Sequence, residues 1–161
     1  MARESALQIL FELEFIDAAL EAVINRYWKE KKASAAIKDY ANWLVGGIVA
    51  RKVEIDELIQ GHSKHWRISR MAFVDRNILR IAVFELLEEQ FMAPAIVINE
   101  ALEIAKRYSG DESTVFINGV LDAVRKKVDK KNPDSEVKDH EPKKEAPKKR
   151  TARSDGRRKK E

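Results

Sequence analysis

Apolar residues return at steps of three and four through the first 128 positions, the period of helices that each bury one stripe. Ala6, Ile9, Leu10 and Leu13 form the first stripe, and a break is expected near Ile16 and Asp17. Leu20, Val23, Ile24, Tyr27 and Trp28 form the second, followed by a lysine-rich connection over 29–33. A long third pattern runs through Ile37, Tyr40, Ala41, Leu44, Val45 and Ile48 to Ile55, Leu58 and Ile59. Gly46 and Gly47 lie inside it, and a mid-helix glycine costs about 1 kcal/mol relative to alanine, so the pair predicts close packing or a bend. Gly61 is the expected end of that helix.

Residues 62–71 are less regular, and 72–90 is again amphipathic through Val74, Ile78, Leu79, Ile81, Ala82, Leu86 and Leu87. Pro94 stops that helix or starts the next, which carries Ile98, Ala101, Leu102 and Ala105. Gly110 ends it, and Asp111 or Ser113 can cap the last helix, whose stripe is Phe116, Ile117, Val120, Leu121, Val124 and Val128. Strict alternation is scarce, so the expected class is all-α.

The pattern stops at Val128. Three of the four prolines lie beyond it, and Val137 is the only large aliphatic there. Such a segment buries too little to offset the entropy of ordering, so the division is a helical domain over 1–128 and a disordered tail over 129–161. The tail also changes the meaning of the +4 formal charge. It holds 13 Lys and Arg against 8 Asp and Glu, whereas residues 1–128 hold 18 against 19. A near-neutral body cannot hold a polyanion by bulk charge and needs a local patch. The run 143–160, with a net charge of +8, would bind polyanions without sequence preference, or serve only as a solubilising extension.

With no cysteine, disulfide scaffolds and thiolate metal sites are excluded. No secretory signal and no membrane span are expected, because no basic start leads into an apolar segment and no apolar run approaches about 20 residues. The expectation is a soluble cytoplasmic protein. His62 and His65, three apart, read as solvated histidines rather than metal ligands. No Ser-His-Asp set, paired carboxylates or glycine-rich phosphate loop stands out, and no cofactor is assigned.

Two stretches carry a resemblance. One is Ala2-Arg3-Glu4-Ser5-Ala6-Leu7-Gln8-Ile9-Leu10-Phe11. The other runs from Ile78-Leu79-Arg80-Ile81-Ala82-Val83-Phe84-Glu85-Leu86 through Pro94, Val97-Ile98-Asn99-Glu100-Ala101 and Ala105-Lys106 to Phe116-Ile117-Asn118-Gly119-Val120-Leu121-Asp122. In order and spacing these resemble the NusB family, over most of 1–128. The resemblance implies a fold of two packed helical bundles and no catalytic activity. It further implies binding of boxA-type single-stranded RNA as a heterodimer with the ribosomal protein NusE. The pair would join other Nus factors on RNA polymerase and resist termination, notably on ribosomal RNA operons. Some members of the family form homodimers.

Candidate residues follow. Arg3 can donate to a phosphate. Phe11 lies roughly 150° from the centre of the first stripe, so it either stacks on an unpaired base or packs against the second bundle. Lys106 and Arg107 precede a turn with Glu112 and Ser113; the turn can meet RNA through helix N–H groups and base edges, or these charges simply complement helix dipoles. Many members of the family carry lysine where this chain has Val115, which leaves Lys106 and Arg107 as the cations beside that turn. By resemblance, Asp75 and its neighbour Arg76 face the NusE partner. Arg80 is expected to pair with Glu85 or Glu100, and Asn118, Gly119, Asn99 and Glu100 to serve helix packing. Two alternatives stay open: a helical scaffold of the same fold without selective RNA binding, and the RNA-binding domain type found in rRNA cytosine methyltransferases.

Overall fold

The computed structural model describes residues 1–88 and 92–131. Among them are seven α-helices and no strand. They are α1 (Ala2–Leu13), α2 (Leu20–Glu30), α3 (Ala35–Ala50), α4 (Lys52–His62), α5 (Phe73–Leu87), α6 (Pro94–Tyr108) and α7 (Asp111–Lys131), with a 3-10 turn at Ile68–Arg70. The expected stripes become the buried positions: Ala6, Ile9 and Leu10 on α1, Val23 on α2, Ile117, Val120, Leu121, Val124 and Val128 on α7. The last helix runs three residues past the expected boundary at Val128. The tail expected to be disordered lies, from residue 132 on, outside the described residues.

Helices α1–α3 pack together, α4–α7 pack together, and α5 touches α1, α3, α4, α6 and α7. That central position explains the burial of every residue from Arg76 to Leu86. A helix with neighbours on all sides has no solvated face, so its polar residues must find partners inside. Arg76, Asn77, Arg80 and Glu85 are the buried polar side chains of α5.

The third pattern is not one helix. It breaks at Arg51, with φ −112° and ψ 21°, and α4 starts at the next residue. Ile48, Ile55 and Ile59 are all nearly inaccessible, so a one-residue interruption leaves the apolar period almost intact and hides the break. Of the glycine pair, Gly47 permits a close approach: a Cβ there would overlap the Phe84 ring, while one at Gly46 would meet nothing. Gly61 sits inside α4, which ends at His62. Gly119 does not serve close packing, because it and Asn118 lie on the exposed side of α7. Asn99 and Glu100 are likewise exposed on α6. Pro94 opens α6, and Gly110 separates α6 from α7 at φ +114°, a conformation that favours glycine.

Candidate nucleic-acid and partner interface

Arg3 is turned into the fold. Its Nε and Nη2 donate to Glu85 Oε2 and Oε1 at 2.9 and 2.8 Å, and its Nη1 meets Glu100 Oε2 at 3.3 Å. The Tyr40 hydroxyl donates to the same Glu85 carboxylate, and the Arg3 guanidinium lies 5.7 Å from the Tyr40 ring centroid. Burial disfavours the Arg3 charge, but the Glu85 hydrogen bond and charge outweigh it, and its pKa is raised. Burial, and then the hydrogen bond to Glu85, push the Tyr40 phenol up to about 12. A guanidinium so committed ties α1 to α3, α5 and α6 and is not presented as a free phosphate donor. The expectation for Arg3 gives way to a structural role.

Arg80 does not pair with Glu85 or Glu100. Five helical positions place Glu85 roughly 140° around α5 from it, so the two face different neighbours. Arg80 instead donates through Nε and Nη2 to the Asp56 carboxylate, both at 2.7 Å, and through Nη1 to Glu14 Oε1 at 2.7 Å and Asn77 Oδ1 at 3.1 Å. Arg76 Nη2 takes the other Glu14 oxygen at 2.8 Å. Burial raises the Glu14 pKa, but Arg76 and Arg80 more than reverse that, leaving it lowered. Arg76 is thus buried and held by Glu14, with its Nη1 on the Ile68 carbonyl at 3.3 Å. It does not share an exposed partner face with Asp75; α5 is enclosed at that position.

The exposed chemistry is elsewhere. Phe11 is 39% exposed and forms an aromatic trio with Phe15 and Phe73. Ring centroids are 5.1 Å apart for Phe11 and Phe15 and 4.9 Å for Phe15 and Phe73. Phe15 and Phe73 are themselves exposed, and the Arg76 guanidinium sits 4.9 Å from the Phe73 centroid on the inner side. Phe15 follows Phe11 by four residues, a spacing readable in the sequence; Phe73 lies on another helix and carries no local signal.

The α6–α7 turn approaches the same end of the molecule. Backbone N–H groups of Ser109 and Gly110 both donate to the Ala105 carbonyl, and the Thr114 hydroxyl donates to the Gly110 carbonyl at 2.8 Å, so the turn is closed by its own backbone. Lys106 and Arg107 are exposed at the end of α6, where the helix dipole favours cations. Lys106 pairs with Glu103 at 2.7 Å, and Arg107 with Glu4 of α1. The Tyr108 hydroxyl also donates to Glu4, at 3.3 Å, a contact the sequence did not announce. Glu112 is exposed, and Ser113 Oγ donates to Asp75 Oδ2 at 2.8 Å. The structure therefore holds Ser113 against Asp75 and Arg107 against Glu4, leaves Lys106 and Glu112 exposed, sets Phe11 against Phe73, and takes Arg3 and Arg76 inside.

Among the described residues no helix is long and apolar enough to cross a membrane, and no group of three or more His, Asp or Glu side chains could hold a metal ion. The sequence profile of the NusB family matches residues 1–126. The transcription antitermination protein NusB of Syntrophus aciditrophicus is 39% identical over 137 residues, covering 85% of each chain. The solved structure of T. maritima NusB superposes with a TM-score of 0.72 at 36% identity, over 78% of this chain and 88% of that one. A chain from the crystal structure of antitermination factors NusB and NusE in complex with dsRNA gives 0.70 at 30% identity, over 78% and 94%. These relatives are named as antitermination proteins and not as enzymes. On the match of its sequence over 1–126 and of its helical fold, the chain belongs to the NusB family.

Proposed function

We propose that this chain is an antitermination factor that binds boxA-type single-stranded RNA as a heterodimer with NusE, and acts with other Nus factors on RNA polymerase, notably on ribosomal RNA operons. The observation that carries this reading is the Ser113–Asp75 hydrogen bond. It holds the α6–α7 turn, with exposed Lys106, Arg107 and Glu112, against the first turn of α5, which also carries the exposed Phe73 of the aromatic trio. A relative 30% identical and solved together with NusE and dsRNA supports binding of both kinds of partner. Phe11, Lys106, Arg107, Glu112 and Ser113 are the proposed RNA contacts, and Asp75, half-buried and held by Ser113, is proposed at the partner face.

A second reading is a NusB-fold scaffold without selective RNA binding. Its support is that Arg3, Lys106 and Arg107 already hold carboxylates. Exchange of a surface carboxylate for phosphate is easy for the last two, because exposed pairs are weak. Titration of boxA RNA and a scrambled control against the protein, with and without NusE and at two salt concentrations, separates the readings. Preference for boxA that sharpens with NusE is expected. Equal binding of both RNAs under every condition sinks the antitermination reading. Sedimentation of the protein alone tests for a homodimer.

A further inference from the structure

Between Glu57 and Asp75 the chain contains no acidic residue, yet it carries Lys64, Arg67, Arg70, His62 and His65 around Trp66. Among the described residues Lys64, Arg67 and Arg70 are exposed and none has an ionic partner, unlike Lys106 and Arg107. The body as a whole is near neutral, so an acid-free segment with three exposed cations is a local patch of positive charge within it.

The segment is irregular but held. Ser63 is buried, and its hydroxyl donates to the Trp66 carbonyl at 3.1 Å, as does Gln60 Nε2 at 3.3 Å. Gln60 Oε1 accepts from the Ile68 backbone N–H at 2.9 Å, and buried Arg76 donates to the Ile68 carbonyl. With its backbone so fixed, the Trp66 ring is left 58% exposed and touches the Phe116 ring edge-on, centroids 6.3 Å apart. Phe116 lies three residues after Ser113, about one helical turn, so Trp66 stands next to the α6–α7 turn. An indole kept out of the core on a pinned loop, between unpaired cations, offers a stacking face and backbone charge together. Those are the two requirements of an unpaired RNA strand.

We infer that the 62–70 loop is a second RNA-binding element, in which Trp66 stacks on an unpaired base and Lys64, Arg67 and Arg70 hold the phosphates of nucleotides flanking those at the α6–α7 turn. The inference rests on the RNA-binding reading given above. An acidic protein surface is the competing occupant, and the NusE arm of the test separates it from RNA.

The test uses the full chain, with NusE, and two RNAs: a boxA core and the same core extended on both sides. Trp66→Ala is expected to weaken the extended RNA about 5- to 20-fold and to leave the core unchanged, while Trp66→Phe, which still stacks, restores most of the loss. Lys64→Gln with Arg67→Gln should flatten the slope of log affinity against log salt by about 1.4 for the extended RNA. The extended RNA should quench a tryptophan fluorescence component that Trp66→Phe removes, leaving Trp28 and Trp43. Helical content and melting temperature verify that each variant folds; the glutamine pair, fully on the surface, tests the loop even if Trp66→Ala does not. Wild-type binding of the extended RNA by these variants overturns the inference and leaves the RNA reading intact. Loss of NusE affinity with unchanged RNA affinity also overturns it, assigning the loop to protein. Absence of RNA binding by the unaltered protein removes the RNA reading and this inference with it.

Discussion

The hydroxyl of Ser113, in the first turn of α7, donates to the carboxylate of Asp75, in the first turn of α5, at 2.8 Å. The other Asp75 oxygen is buried without a donor among the described residues. One carboxylate thus links the candidate RNA turn to the candidate partner face. Ser113→Ala and Asp75→Ala are expected to destabilise by about 1 kcal/mol each, with a coupling of similar size in a double-mutant cycle read by urea unfolding. Each change should also lower both RNA and NusE affinity. Strictly separate effects, Ser113→Ala on RNA alone and Asp75→Ala on NusE alone, would show two independent surfaces.

Phe11→Ala should weaken RNA binding by at least about fivefold, the range of a lost base stack, while the melting temperature falls only slightly. The ring is exposed and its neighbours Phe15 and Phe73 still contact each other without it. A melting temperature lowered as much as by truncation of Leu10 would show that Phe11 is core instead.

Removing Arg80 leaves Asp56 and Glu14 without their shared cation. Arg80→Ala should cost about 2 kcal/mol in unfolding free energy, because part-buried Asp56 loses its cation while Glu14 keeps Arg76. The pH dependence follows from Glu14. Its pKa is lowered in the folded state, so its contribution is present above the unfolded value of 4.5 and is lost as pH falls through the folded value. Glu14→Gln should therefore be less stable than the unaltered protein at neutral pH, and the gap should close as the solution is acidified below pH 4.5. A gap that stays constant through the acid limb contradicts the assignment.

At the opposite end of the scale stands Tyr40. Its folded pKa of about 12 exceeds the unfolded value of 10.0, so the phenol contributes stability below pH 10 that is lost as pH rises toward 12. Tyr40→Phe should remove that part of the alkaline loss, seen as a convergence of the two unfolding curves between those pH values. Glu85→Gln should destabilise more than Tyr40→Phe, because it strips a buried carboxylate from both Arg3 and Tyr40.

Much of the fold was legible before any coordinates. The stripes of α1, α2 and α7, the proline that opens α6 and the glycine that follows it are where their local patterns placed them. The break at Arg51 was not, because one residue out of helical geometry barely shifts the phase of Ile48, Ile55 and Ile59. The exposure of Phe11 was legible from its angle off the stripe, and Phe15 from its spacing.

Sequence alone determined the helices, because a helix is written in contacts between residues three and four apart. It also determined the near-neutral body, the basic tail and the family resemblance. Only the tertiary structure decided which charges are free. Arg3 meets Glu85 across 82 positions, Arg80 meets Glu14 across 66, and Ser113 meets Asp75 across 38. No local pattern encodes such pairs. They arise because the enclosed helix α5 must satisfy its buried polar groups from whichever helix packs against each side, while Lys64, Arg67 and Arg70 of the 62–70 loop stay exposed.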